Sequence, residues 1–239
     1  NPACSGANAG KVRKAMENVD WMVNVNLFDN ETGSFWRGPG VDPSKVKTEV
    51  FLLPCAASME KEGSITNSGR WSQWRYKAVD SPGEAKPDSD IMNALYFRLK
   101  NLYEKEGGAL PEAITKLKWD YGTEENVNVH LVAKEINGYD LNTGKLLPSF
   151  PALKDDGTTS SGCWIFCASY TEAGNMAARR GKSDPLGTGL YPDWAWCWPL
   201  NRRIIYNRAS VDINGNPWDK AHPVIVWSES IGKWIGDIP

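Results

Sequence analysis

Apolar residues first recur at helical spacing between Gly10 and Val19, where Val12, Ala15, Met16 and Val19 share one face and Asn8 stands ready to cap. The period then changes. Trp21 to Phe28 (WMVNVNLF) reads as a mostly apolar strand in which Asn24 and Asn26 interrupt one face, since side chains two apart point the same way. Asp29 to Pro43 is dense in glycine, proline and turn formers and reads as a loop; Glu49 to Pro54 (EVFLLP) is a second buried run. A helix feeding one short apolar strand, with another after it, predicts a parallel sheet of the doubly wound α/β kind, and a strand is expected ahead of Asn1. Ligands of such sheets lie at the carboxyl ends of the strands, so Asn1 to Ser5, Asn26 to Thr32 and Pro54 to Ser58 make the expected ligand edge.

Further on, WSQWRY (Trp71 to Tyr76) reads as a short strand after an irregular loop, and Ser81 to Pro87 as a break. Asp88 to Glu106 is the clearest helix. Asp88, Ser89 or Asp90 can cap it, Ile91, Leu95, Leu99, Leu102 and Tyr103 form its apolar stripe, and Gly107-Gly108 stops it. Shorter helices are expected over Pro111 to Lys118 and around Asn126 to Ile136. The remainder of the chain is a long irregular segment rich in Gly, Pro and Trp, of the sort that packs on neighbouring protein or serves a site.

Charge adds mainly exclusions. Twenty-seven basic against 29 acidic residues in 239 give a net charge of -2, no footprint for nucleic acid or an anionic membrane. No apolar run is long enough to span a bilayer, and the first twenty residues have no signal-peptide core. Five cysteines form a sparse, odd set that argues against a disulfide framework, and Cys163 and Cys167 (CWIFC) read as core thiols. Twelve tryptophans admit two accounts, packing or stacking on sugars or bases.

A complete catalytic site is missing. His130 and His222 have no nucleophile motif beside them and no metal-ligand spacing; His130 reads as structural and His222 as a loop residue. GTGLYP (Gly187 to Pro192) lacks the third glycine of a dinucleotide fingerprint. Glu60 and Glu62, or Asp155 and Asp156, read as solvated loop carboxylates, and the sequon at Asn30-Glu31-Thr32 carries no weight.

Taken in order, NPACSGAN, DWMVNVNLFDNETGSFWRGPG, KVKTEVFLLPCAASMEKEGSITNSGRWSQWRYKAV, SYTEAGNMAARR and LYPDWAWCWPLNRRIIYNRAS resemble the catalytic large subunit of formate dehydrogenases. These belong to the dimethyl sulfoxide reductase family of molybdopterin oxidoreductases, and the resemblance covers nearly all of the chain. The first three segments are general to that family, while GNMAARR and WCWPLNRRIIYNRAS carry the formate-type reading. The resemblance implies molybdenum or tungsten on two molybdopterin guanine dinucleotides and a 4Fe-4S cluster in the intact subunit. It further implies that the chain is an internal piece. The iron-sulfur domain, the selenocysteine or cysteine that ligates the metal and the active-site arginine are then expected upstream, and a β-barrel domain downstream.

Residue by residue, the resemblance implies cofactor holding and no catalytic or metal role. Asn1 and Ser5 suit phosphate or ribose, Asn26 stands where the family often has an acidic residue, and Glu49 matches an acidic residue placed to take guanine N-H groups. Thr32 and Arg70 are further candidates; Trp194, Trp196 and Trp198 are assigned to packing against the rest of the large subunit. Residues 1–118 are then a Rossmann-like pterin-dinucleotide-binding segment and 119–239 a loop-rich packing segment. Implied partners are the remainder of the large subunit, an iron-sulfur electron-transfer subunit and a membrane cytochrome subunit, with no nucleic acid, in the periplasm. The piece alone is expected to be inert, with bare apolar surface. A nitrate or other oxyanion reductase, a stand-alone Trp-rich binding module and a structural interaction segment are the competing readings.

Overall fold

The computed structural model describes residues 1–67, 69–185, 187, 191, 193–197, 212, 214, 216–221, 223, 225–230 and 233–236. The chain divides into two compact units, Asn1–Gly63 with Arg75–Val129, and Ser64–Trp74 with His130–Pro239.

In the first unit a short helix α1 (Pro2–Ser5) leads to α2 (Ala9–Met16), where the Asn8 side chain accepts from Lys11 N at 3.0 Å as the sequence predicts. α2 stops three residues before Val19, which is exposed. Strand β1 (Trp21–Asn26) pairs in parallel with β2 (Glu49–Pro54), from Trp21↔Glu49 through Asn26↔Pro54. The Thr48 hydroxyl fixes the approach, lying 2.7 Å and 2.8 Å from the Met16 and Val19 carbonyls. This is the parallel pairing expected, as a two-stranded sheet; the other sheets among the described residues are small and the named strand pairs in them antiparallel.

Helix α3 (Asp88–Glu106) has the predicted ends. Pro87 takes the N-cap position, however, while Asp88 and Asp90 sit in the first turn, where a carboxylate complements the helix dipole. Gly107, at φ +70°, closes it in a conformation that favours glycine. Its buried residues are Asn93 and Tyr96, whereas Leu95, Leu99 and Leu102 of the predicted stripe are exposed. Asn93 goes inside because its amide is satisfied there: Nδ2 donates to the Thr123 and Glu124 carbonyls at 2.9 and 2.8 Å, and Oδ1 accepts from Trp119 Nε1 at 2.8 Å. Tyr96 stacks on Trp119 and donates to the Leu117 carbonyl at 3.0 Å. Helix α4 (Glu112–Thr115) is shorter than expected.

The second unit begins with β3 (Gly63–Thr66) and β4 (Trp71–Arg75), which buries Ser72 and Trp74 on one face. Helix α5 (Val129–Asn137) starts three residues later than the sequence suggests. Short strands come next: β5 (Tyr139–Asp140) with β6 (Thr159–Ser160), and β7 (Tyr170–Thr171) with β8 (Gly174–Asn175). Strand β9 (Ala195–Trp196) joins β4, and β10 (Ile225–Ser228) pairs with β11 (Lys233–Gly236). The centre is Asn137, fully buried: Nδ2 donates to the Gly138 and Leu147 carbonyls and Oδ1 accepts from Tyr170 N. Its own carbonyl accepts from the buried Cys167 thiol at 3.1 Å. His130 has the structural place expected, stacked on Trp74 with Nδ1 3.1 Å from the Tyr170 hydroxyl.

All five cysteines are free thiols, and no described helix is long and apolar enough to cross a membrane. Trp194 and Trp196, assigned from the sequence to packing against the rest of a large subunit, have packing partners within this chain. Trp194 stacks between Trp71 and Tyr191, and Trp196 donates from Nε1 to the Tyr191 carbonyl at 3.0 Å. Trp198 and His222 lie outside the described residues.

Candidate functional site

The carboxyl ends of β1 and β2 form a cleft of about 180 Å³ lined by Asn24, Asn26, Phe28, Asp29, Leu52 and Pro54, among others. Asn26 ends β1, half-buried; its Oδ1 accepts from Leu27 N at 2.9 Å, which leaves the NH2 without a partner among the described residues. Asn24, two residues earlier on the same face, has a sealed Nδ2 with no hydrogen-bond partner among the described residues. Buried Gly33 packs directly over it: a Cβ there would collide with Asn24 Nδ2 and come 2.7 Å from Leu52 Cδ2. Asp29, at the cleft mouth, pairs with Arg37 and accepts from the Ser34 hydroxyl. Two amides, one carboxylate and exposed Phe28 make a donor–acceptor set with an apolar wall, suited to a sugar or a base edge.

Sequence reasoning noticed Asn24 as an interruption of the strand without giving it a role. The signal was its polar side chain on the same face as Asn26, in a run otherwise fit for burial.

Asn1, Ser5 and Thr32 come together a short way along the same unit. The Asn1 side chain, however, is occupied: Oδ1 accepts from the Thr32 hydroxyl at 2.6 Å and Nδ2 donates to Glu31 Oε2 at 2.7 Å. Thr32, buried, accepts in turn from Ala3 N, and Ser5 donates to the Asn1 carbonyl at 2.9 Å. The Asn1 amide, foremost, holds the Glu31 carboxyl below the usual carboxylate range, helped by its own backbone N–H. A carboxylate thus stands beside the residues expected to meet a phosphate, and the visible job of Asn1 and Thr32 is to fasten the loop to α1.

Glu49 is not part of either group. It is the first residue of β2, exposed and opposite Trp21, five residues or roughly 17 Å from the carboxyl edge at about 3.3 Å per residue. Arg70 belongs to the second unit. It precedes β4 with φ +67°, its carbonyl accepting from Cys197 N at 2.7 Å and Cys197 Sγ at 3.0 Å.

For a pterin dinucleotide the fit is partial. The free Asn26 NH2 and the Asp29 carboxylate suit a polar ligand, yet a cleft of about 180 Å³ is below the roughly 300 Å³ at which drug-sized ligand pockets begin. No group of three or more His, Cys, Asp or Glu residues able to hold a metal occurs among the described residues. In the second unit a smaller cavity of about 50 Å³ touches Ser64, Ser72, Trp74, Tyr170 and Asn175, and both amide atoms of Asn175 are sealed without a partner among the described residues.

Residues 51–98 match the molybdopterin oxidoreductase family. Over its whole length the chain is 52% identical to the alpha subunit of formate dehydrogenase from Megalodesulfovibrio gigas, covering 25% of that protein. It is 45% identical to the major subunit of the nitrate-inducible formate dehydrogenase of Escherichia coli K12, of which it covers 25%. It is also 45% identical to the alpha subunit of formate dehydrogenase 2 (cytochrome c-553) from Nitratidesulfovibrio vulgaris, covering 24%. The chain thus spans about a quarter of the length of the curated relatives it matches.

Proposed function

We infer that this chain, which is 52% and 45% identical over its whole length to formate dehydrogenase large subunits and matches the molybdopterin oxidoreductase family over residues 51–98, is the part of such a subunit that helps hold one pterin guanine dinucleotide. The observation that carries the reading is the extent of the identity. It runs through all 239 residues at 52% and 45%, well beyond the 51–98 segment that the wider family shares.

The whole protein then oxidises formate to carbon dioxide, releasing one proton and two electrons. A bound molybdenum or tungsten pterin would supply the redox chemistry there, with a 4Fe-4S cluster elsewhere in the subunit to take up the electrons. What these residues supply is binding. Asn26 offers its free NH2 and Asp29 its carboxylate to the nucleotide, while Gly33 lets the loop close over Asn24 and Leu52 in the cleft wall. Arg70 adds a cation. Asn1, Ser5 and Thr32 shape the loop, and Glu49 at the amino end of β2 is by position the weakest of the residues that the sequence nominates.

β1 and β2 are two strands of a doubly wound sheet whose other strands come from the remainder of the subunit, with residues 1–118 in the nucleotide-binding domain and 119–239 packing on its surroundings. The other partners are an iron-sulfur subunit and a membrane cytochrome subunit, at the periplasmic face. The isolated chain has no turnover of its own. The test is to purify the full-length protein anaerobically and follow dye reduction with formate and, separately, dye oxidation with nitrate. Formate-driven reduction is expected; nitrate-driven oxidation without it overturns the formate assignment and leaves the family.

A further inference from the structure

Three non-glycine residues among those described have φ in the left-handed region, and Arg70, at +67°, is the charged one. That conformation is unfavourable for an L residue and persists where the surroundings over-determine it. Here they do. The Arg70 N–H donates to the Asn67 carbonyl at 2.9 Å, and the Arg70 carbonyl takes two hydrogen bonds from one residue 127 positions away, Cys197 N–H at 2.7 Å and its thiol at 3.0 Å. Cys197 is 1% exposed, so neither bond competes with bulk water.

The next residue is held as firmly. Trp71 donates from Nε1 to Asn67 Oδ1 at 3.1 Å, stacks on Trp194 with centroids 5.0 Å apart, and pairs with Trp196 across β4 and β9. Against this rigid backbone the half-buried residue Arg70 has a guanidinium with no hydrogen-bond or ion-pair partner among the described residues. A strained, doubly fastened main chain under an uncommitted cation is an arrangement for aiming the cation.

We propose that Cys197 is a positioning residue for Arg70: by holding the Arg70 carbonyl it fixes the left-handed turn that presents the guanidinium to a phosphate group of the bound pterin nucleotide. The proposal rests on the reading of Arg70 as a cofactor-facing residue. A guanidinium suits a phosphate because it offers paired N–H donors in a rigid fork, and that fork is useful only when its base is fixed. Cys197 does so from a buried position, at 1% exposure.

A double-mutant cycle in the full-length protein tests this, reading the pterin nucleotide retained after gel filtration together with the melting temperature. Arg70→Gln is expected to lower retained cofactor several-fold, and Cys197→Ala, which keeps the backbone N–H bond and loses only that of the thiol, to lower it by a smaller factor. The double variant should be no worse than Arg70→Gln alone, because positioning a residue already removed has no further effect. Cys197→Ser keeps a donor and should restore most of the loss, a rescue that a purely packing role of the thiol does not predict; it also carries the cycle if the alanine variant fails to fold. Cofactor loss that is additive, or unchanged retention in Cys197→Ala while Arg70→Gln loses it, overturns the positioning role alone. Unchanged retention in Arg70→Gln overturns the reading of Arg70 on which the proposal rests.

Discussion

Along β1 and β2, Trp21, Val23 and Val25 point the same way as Phe51 and Leu53, and each is between 38% and 64% exposed. Around α5 the chain does the reverse: Asn137 is at 0% exposure with its amide nitrogen and oxygen both paired, and the Cys167 thiol beside it, also at 0%, donates to its carbonyl. The first region displays an apolar face whose complement is not among the described residues; the second finishes its own burial. A contiguous bare apolar face of this kind marks a surface that something else covers, and it is what the reading as part of a larger subunit expects. Polar satisfaction, more than apolar content, distinguishes the region that closes on itself.

The largest effect should come from breaking the closed region. Asn137→Ala strands the Leu147 carbonyl and the Tyr170 N–H, and is expected to cost the chain about 3 kcal/mol, from the roughly 1–3 kcal/mol each unmade buried hydrogen bond carries. Urea denaturation followed by tryptophan fluorescence measures it. Next is Gly33→Ala, which forces a methyl against Asn24 and Leu52 and should cost about 2 kcal/mol, in the range of small-to-large overpacking. The same variant should lower nucleotide retention in the full-length protein.

A smaller effect is expected from alkali, again in the closed region. Burial, first of all, pushes the Cys167 thiol up, and burial followed by the nearby charges of Glu135 and Glu172 does the same to the Tyr139 phenol. Folded values above the unfolded ones mean that this contribution is complete below about pH 8.5 for the thiol and about pH 10 for the phenol, and is lost as pH rises through the raised values. Denaturation midpoints should therefore fall between neutral and strongly alkaline pH, and Cys167→Ala should flatten the earlier part of that fall.

The smallest effect separates the two regions. Phe51→Lys sits on the bare face, so in the chain alone it should change stability by no more than about 0.5 kcal/mol, as for a surface site. In the full-length protein the same substitution should destabilise strongly. Equal effects in both would mean that the face is solvent-exposed in the complete protein as well.

Much of the fold was readable from the sequence where punctuation is strong. β1 and β2 are short apolar runs between turn formers, Asn8 caps α2, and α3 ends at Gly107 as its pattern requires. The inward face of α3 was not readable, because hydrophobic periodicity carries no sign that Asn93 will find three partners; the chain buries the amide and leaves Leu95, Leu99 and Leu102 outside. In the candidate site, Asn26 was legible from its place at a strand end. Glu49 entered through resemblance, although the strand's direction sets it at the amino end, away from the cleft. The occupation of Asn1 by Thr32 and Glu31, and the left-handed turn at Arg70, depend on contacts 30 to 127 residues apart that no local pattern encodes.

The most direct test of the central claim is to release and identify the cofactor of the full-length protein, by oxidising the denatured sample and separating the pterin and nucleotide products, for the wild type and for Asn26→Leu. The account predicts a pterin guanine dinucleotide in the wild type and a clear loss of it in the variant. A wild type that contains no pterin, or an Asn26→Leu protein that keeps all of it, would contradict the account.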